Sequence, residues 1–194
     1  MRVLHDFAEC IAKTMPAEAA AVLVALPDSK EQRVALRILL DRERCLRAAS
    51  QIEVKASLLR GALAEALYDR SAPVTPTLRP RPMLLDFASF AGRLTAADAS
   101  GFDQEDKALL TVRWMAYCAT HENPVGVEAV LRTRIGREDE TLAFRELRPT
   151  LSACLFRGHQ AVVARVPLRA ALAEALYQYY LHANDAPSVA GTRQ

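Results

Sequence analysis

The chain has 194 residues, with 25 basic against 23 acidic side chains and a formal net charge of +2. That charge is too small to indicate a nucleic-acid partner by itself, and the half-hydrophobic, quarter-charged composition excludes wholesale disorder. Seven glycines and few β-branched runs leave little material for hairpins, whereas abundant Ala, Leu, Arg and Glu favour helix.

From the N-terminus, a first helix is expected over 2–14, ending before Met15-Pro16. Pro16 suits the first turn of a second helix reaching residue 26, where its missing N–H does no harm. Pro27-Asp28-Ser29 then breaks the chain and caps a third helix, with Glu31 three residues after Asp28 in a capping-box arrangement. This third segment runs from 29 to 50, and a fourth covers 53–69. In the fourth, Leu59, Leu63 and Leu67 form a stripe flanked by Ala62 and Ala66, small enough to let another helix approach closely.

Ser71 to Pro82 carries Pro73, Pro76, Pro80 and Pro82 with Arg79 and Arg81 between them, a density that excludes regular helix or central strand. An extended connector is expected there, followed by a short docking helix over 83–93 with Leu84, Leu85, Phe87 and Phe90 apolar, and Leu94 just beyond it. Asp103, with Gln104-Glu105-Asp106 behind it, caps the next helix to His121, the acids opposing the positive end of the helix dipole. Asn123-Pro124 opens another that stops at Gly136. A segment from Asp139 is expected to break at Pro149 and restart from Thr150, and the last helix runs from Pro167 to Ala183. The tail after Asn184 is small and polar.

One segment returns. Leu59-Arg60-Gly61-Ala62-Leu63-Ala64-Glu65-Ala66-Leu67-Tyr68 recurs as Leu168-Arg169-Ala170-Ala171-Leu172-Ala173-Glu174-Ala175-Leu176-Tyr177, differing only at Gly61/Ala170. The same offset aligns Cys45-Leu46 with Cys154-Leu155. An offset one residue shorter aligns Cys10 with Cys118, Pro16 with Pro124 and Ala21-Val22-Leu23 with Ala129-Val130-Leu131. The chain therefore reads as all-α, with two tandem pseudo-repeated bundles of about four helices each. Residues 1–70 form the first copy, 71–102 the connector and short helix, 103–184 the second copy, and 185–194 a flexible tail. The two leucine–alanine faces are expected either to centre each bundle or to pack on each other.

Chemistry is sparse. The cysteines Cys10, Cys45, Cys118 and Cys154 show no CxxC pair and no histidine at metal-ligand spacing, so they read as buried thiols of the core. His5, His121, His159 and His182 belong to no HExxH, and no GxSxG, GxxxxGK[ST] or GxGxxG motif occurs. No catalytic residue, metal or cofactor is assigned, and a non-enzymatic protein is expected. A ligand pocket between the copies, using His121 or His159, is the enzymatic alternative. No apolar run approaches the length of a membrane span, and Met1-Arg2-Val3-Leu4-His5-Asp6 does not read as a secretory signal, so a cytoplasmic protein is expected.

Two surfaces remain. Tyr177, Tyr179 and Tyr180 lie within four residues near the end of the last helix and cannot all face one core, so at least one is expected in a protein interface. Arg33, Arg37, Arg44 and Arg47, with Arg132, Arg134 and Arg137, are candidate phosphate contacts. Arginine supplies 21 of the 25 basic residues, as a GC-rich genome or phosphate recognition would each produce. Lys107-Ala108-Leu109-Leu110 through Cys118, with Phe144 and Leu147, resembles the helical small subunit of CRISPR surveillance complexes only in generic apolar spacing and identifies no family. The sequence thus points to a helical interaction or adaptor protein, a subunit or regulator of a bacterial assembly such as a secretion system, with a protein partner or self-association. The alternative is a helical nucleic-acid-binding subunit.

Overall fold

The computed structural model describes residues 2–27, 29–40, 45, 54–71, 104–155 and 163–184. Among these residues the fold is all-helical, with no strand and eight helices. In chain order they are α1 (Arg2–Thr14), α2 (Pro16–Val24), α3 (Lys30–Leu40), α4 (Ala56–Ser71), α5 (Gln104–Glu122), α6 (Pro124–Leu131), α7 (Glu138–Ala153) and α8 (Arg165–Asn184). The connector, the short helix expected over 83–93, Asp103, the tail, and Asp28, Arg44, Arg47 and His159 lie outside the described residues. Among the described residues no helix is long and apolar enough to cross a membrane.

Local sequence accounts for most helix starts. Pro16 and Pro124 each open a helix, and the preceding Met15 (φ −141°, ψ 56°) and Asn123 (φ −148°, ψ 68°) adopt nearly the same non-helical backbone conformation. The Asn123 side chain also accepts the Gly126 N–H. At α3 the cap is Ser29, whose Oγ accepts the Gln32 N–H at 3.1 Å. α6 stops at Leu131, five residues before Gly136, which turns the chain at φ 77°.

The break expected at Pro149 does not occur: α7 continues through it to Ala153. Proline removes one ladder hydrogen bond there. Pro149 faces solvent, however, and Phe144, Leu147 and Leu151 on the opposite face are held in the core on both sides of it. Thr150 is consequently mid-helix, and its hydroxyl receives the Asn123 side-chain amide at 3.4 Å instead of capping a restart.

α4 and α8 pack on each other, the second of the two arrangements open from sequence, while α1 and α2 cover α4, and α5 and α6 cover α8. Every residue of α4 from Leu59 to Tyr68 is buried, so α4 is enclosed on all sides and is not a one-faced amphipathic helix. Residues from both chain halves join one apolar core. The helix crossing is tight at Gly61: a Cβ there would overlap both the Cβ and the backbone of Ala170. Glycine is therefore required by contact, not by backbone angle.

The cysteines need a correction. They are not free thiols: Cys10 is bonded to Cys45 and Cys118 to Cys154, leaving none unpaired. Sequence separations of 35 and 36 residues gave no local signal of pairing, but α1 and α5 each lie beside the chain that leaves the third helix of their half. Trp114 is buried and donates its indole N–H to the Cys154 carbonyl at 2.8 Å.

Candidate functional site

The centre of the molecule is polar, because the Leu/Ala segment of α4 and its counterpart in α8 each carry one arginine and one glutamate. All four side chains are buried. Arg60 on α4 donates from Nε and Nη2 to Glu174 Oε1 on α8, at 3.1 and 2.5 Å. In the reverse direction Arg169 on α8 donates from Nε and Nη2 to Glu65 Oε2 and Oε1 on α4, at 3.3 and 2.6 Å.

The rest of each guanidinium terminates a helix. Arg60 reaches the carbonyls of Val22, Leu23 and Ala25 at the end of α2, and Arg169 reaches those of Val130, Leu131 and Thr133 at the end of α6. Arginine suits this place because its planar fork supplies five donors to carbonyls that a helix end leaves without partners. Arg169 also donates from Nη1 to Glu140 Oε1 of α7 at 3.0 Å, and Glu140 in turn accepts the Gly136 N–H. With carboxylate and carbonyl oxygens converging on each guanidinium, this is a structural device rather than a site with a free acid or base.

Beside the Gly61–Ala170 crossing lie two small crevices. One is lined by residues including His5, Gly61, Glu65 and Arg169, the other by residues including Leu109, Arg113, Pro167 and Glu174, and their cavity volumes are about 10 and 20 Å³. Both fall far below the roughly 300–1,000 Å³ typical of ligand pockets. His121 lines neither; it is exposed near the end of α5. His5 contacts Glu9 one turn along α1 at 3.1 Å. Among the described residues no group of three metal-ligating side chains is assembled.

The tyrosine cluster divides between core and surface. Tyr177 and Tyr180 are buried and only Tyr179 is half-exposed. Tyr180 reaches the core because its ring packs on Tyr68 of α4, with centroids 4.9 Å apart, and Tyr179 meets Tyr180 edge-on at 6.3 Å. The positions diverge around α8 as expected, but α4, α5 and α6 surround that helix widely enough to take up two of them.

The candidate phosphate contacts fall on separate elements. Arg33 and Arg37 are exposed on α3. Arg132 is exposed but committed to Glu128 at 2.6 Å, while Arg134 and Arg137 are exposed in the turn between α6 and α7. The residues that sequence reasoning missed are Arg60, Glu65, Arg169 and Glu174. Their signal was present: one arginine and one glutamate recur at the same places in both Leu/Ala segments, where ordinary solvated charges would have no reason to persist. Comparison with protein-family models, with curated proteins and with solved structures found no match.

Proposed function

We propose that this protein is a non-catalytic helical interaction protein, a subunit or regulator of a larger bacterial assembly such as a secretion machine, built from two diverged copies of one four-helix unit. The observation that carries the reading is the collection of exposed apolar side chains on one unit. Val24, Leu26, Val34, Ile38 and Leu40 all face solvent within α2, α3 and the turn joining them. The matched positions of the other unit hold Arg132, Arg134, Leu142, Glu146 and Arg148. An apolar set needed for folding would be kept in both units; the other unit keeps only exposed Leu142, and the loss of the remaining four fits a surface shaped for a partner.

The duplication itself is supported by the two disulfides at matched positions, the crossed Arg–Glu pairs and the shared entry geometry of α2 and α6. The disulfides further favour an oxidising compartment over the cytoplasm, since thiol pairs of this kind persist outside reducing compartments. The test is purification from the native host beside a Val34→Asp/Ile38→Asp variant. The wild type is expected in a defined complex or self-associated, and the variant as a monomer. A strictly monomeric wild-type protein with no copurifying partner overturns the reading.

A further inference from the structure

We infer that α7 presents a basic ridge that docks the protein onto an anionic phospholipid surface. Successive helical residues are 100° apart, so Thr141, Arg145, Arg148 and Ser152 fall within an arc of about 60° and extend over about 16 Å of helix, with Arg137 at the cap position just before the first turn. Arg137, Arg145 and Arg148 are exposed. A fourth arginine joins them from α8, because exposed Arg165 is held against the row by its Nη1 donating to Thr141 Oγ1 at 2.8 Å. Among the described residues none of these four guanidinium groups enters an ion pair.

The acids nearby do not neutralise the row. Glu140 is buried on Arg169, and Asp139 accepts backbone N–H groups of Arg134 and Glu140. Asp139 and Glu146, both exposed, project to the side of α7 opposite Arg148, which leaves exposed Glu138 as the flanking carboxylate. Arginine is suited to this task because its planar fork binds phosphate bidentately and is weakly hydrated.

Two observations favour a lipid headgroup layer over a nucleic acid. Past Glu138 on the flank of the row lie exposed Pro149 and Leu142, about 40° and 60° round α7 from Arg145, which gives a basic face with an apolar margin, as in a helix resting in a membrane interface. The only aromatic side chain of α7, Phe144, is buried, so the helix offers no ring for stacking on bases.

The experiment is co-sedimentation of the full chain with vesicles of phosphatidylcholine alone, or of phosphatidylcholine and phosphatidylglycerol at about 2:1, near 0.01 M salt, where charges act over about 30 Å before they are screened. Binding to the anionic vesicles alone is expected, with about a fivefold loss for each arginine removed and hence about 25-fold for Arg145→Gln/Arg148→Gln. The same charge change on α3, Arg33→Gln/Arg37→Gln, is expected to leave binding within about twofold, and unchanged thermal unfolding verifies that both variants fold. Absence of binding to anionic vesicles, equal losses for the α3 and α7 variants, or tighter binding to duplex DNA at equal phosphate concentration would each overturn the inference. Because the test uses lipid and no protein partner, its failure is independent of the reading in the preceding subsection.

Discussion

Arg60 of the first chain half and Glu174 of the second are joined by two hydrogen bonds in a site where both side chains are buried, and Arg169 and Glu65 make the same connection in the opposite direction. These crossed pairs tie α4 to α8 and, through the same guanidinium groups, fix the ends of α2 and α6. A buried charge costs several kcal/mol to desolvate, and here the carboxylates and helix-end carbonyls offset that cost together.

Removing one partner should therefore be worse than removing both. Glu174→Ala leaves Arg60 without its carboxylate and is expected to destabilise by about 3–5 kcal/mol in urea unfolding. The double variant Arg60→Met/Glu174→Leu is expected to cost clearly less than the sum of its singles, because no uncompensated charge remains. Additive losses would show that the pair does not act as a unit.

Each disulfide closes a loop of about 36 residues within one chain half. Chain-entropy arguments assign such a loop about 3–4 kcal/mol through restriction of the unfolded state. Cys10→Ser/Cys45→Ser is expected to lower Tm by several degrees while keeping the helical circular dichroism of the folded chain. Thiol titration of the denatured, unreduced protein should find no free thiol; four reactive thiols in material from the native host would contradict the oxidised state.

Gly61→Ala is expected to be costly although alanine is the better helix former. The added methyl overlaps the Ala170 backbone, so α4 and α8 must separate along their length, with a loss of about 1–3 kcal/mol. Ala170→Gly removes a methyl without blocking the approach and should cost about 1 kcal/mol, the usual helix penalty. Denaturant midpoints of the two variants give the comparison, and equal losses would refute the tight crossing.

Alkali should unfold the protein through its tyrosines. Burial, aided by neighbouring Tyr180 and Glu128, pushes the Tyr68 phenol far above its ordinary range, and burial with the Glu174 charge does the same for Tyr117. A native pKa raised above the unfolded value of about 10 means that the stability is fully present below pH 10 and falls as pH rises beyond it. Urea midpoints measured across that window should decline steeply for the wild type and less steeply for Tyr117→Phe. A flat profile above pH 10 would refute the argument.

The all-helical class, most helix starts and the burial of the Leu/Ala segments were legible in the sequence. Proline at a first turn, capping side chains and 3.6-residue apolar spacing are local signals that need no distant partner. The disulfide pairing, the crossed Arg60–Glu174 and Arg169–Glu65 bonds, the passage of α7 through Pro149 and the burial of Tyr177 and Tyr180 were decided only by tertiary structure. Each of these joins residues of distant chain segments or depends on which face a neighbouring helix covers. Spacing along the chain shows which side chains share a face, but the charge a buried arginine meets and the thiol a cysteine meets are set by how the helices cross.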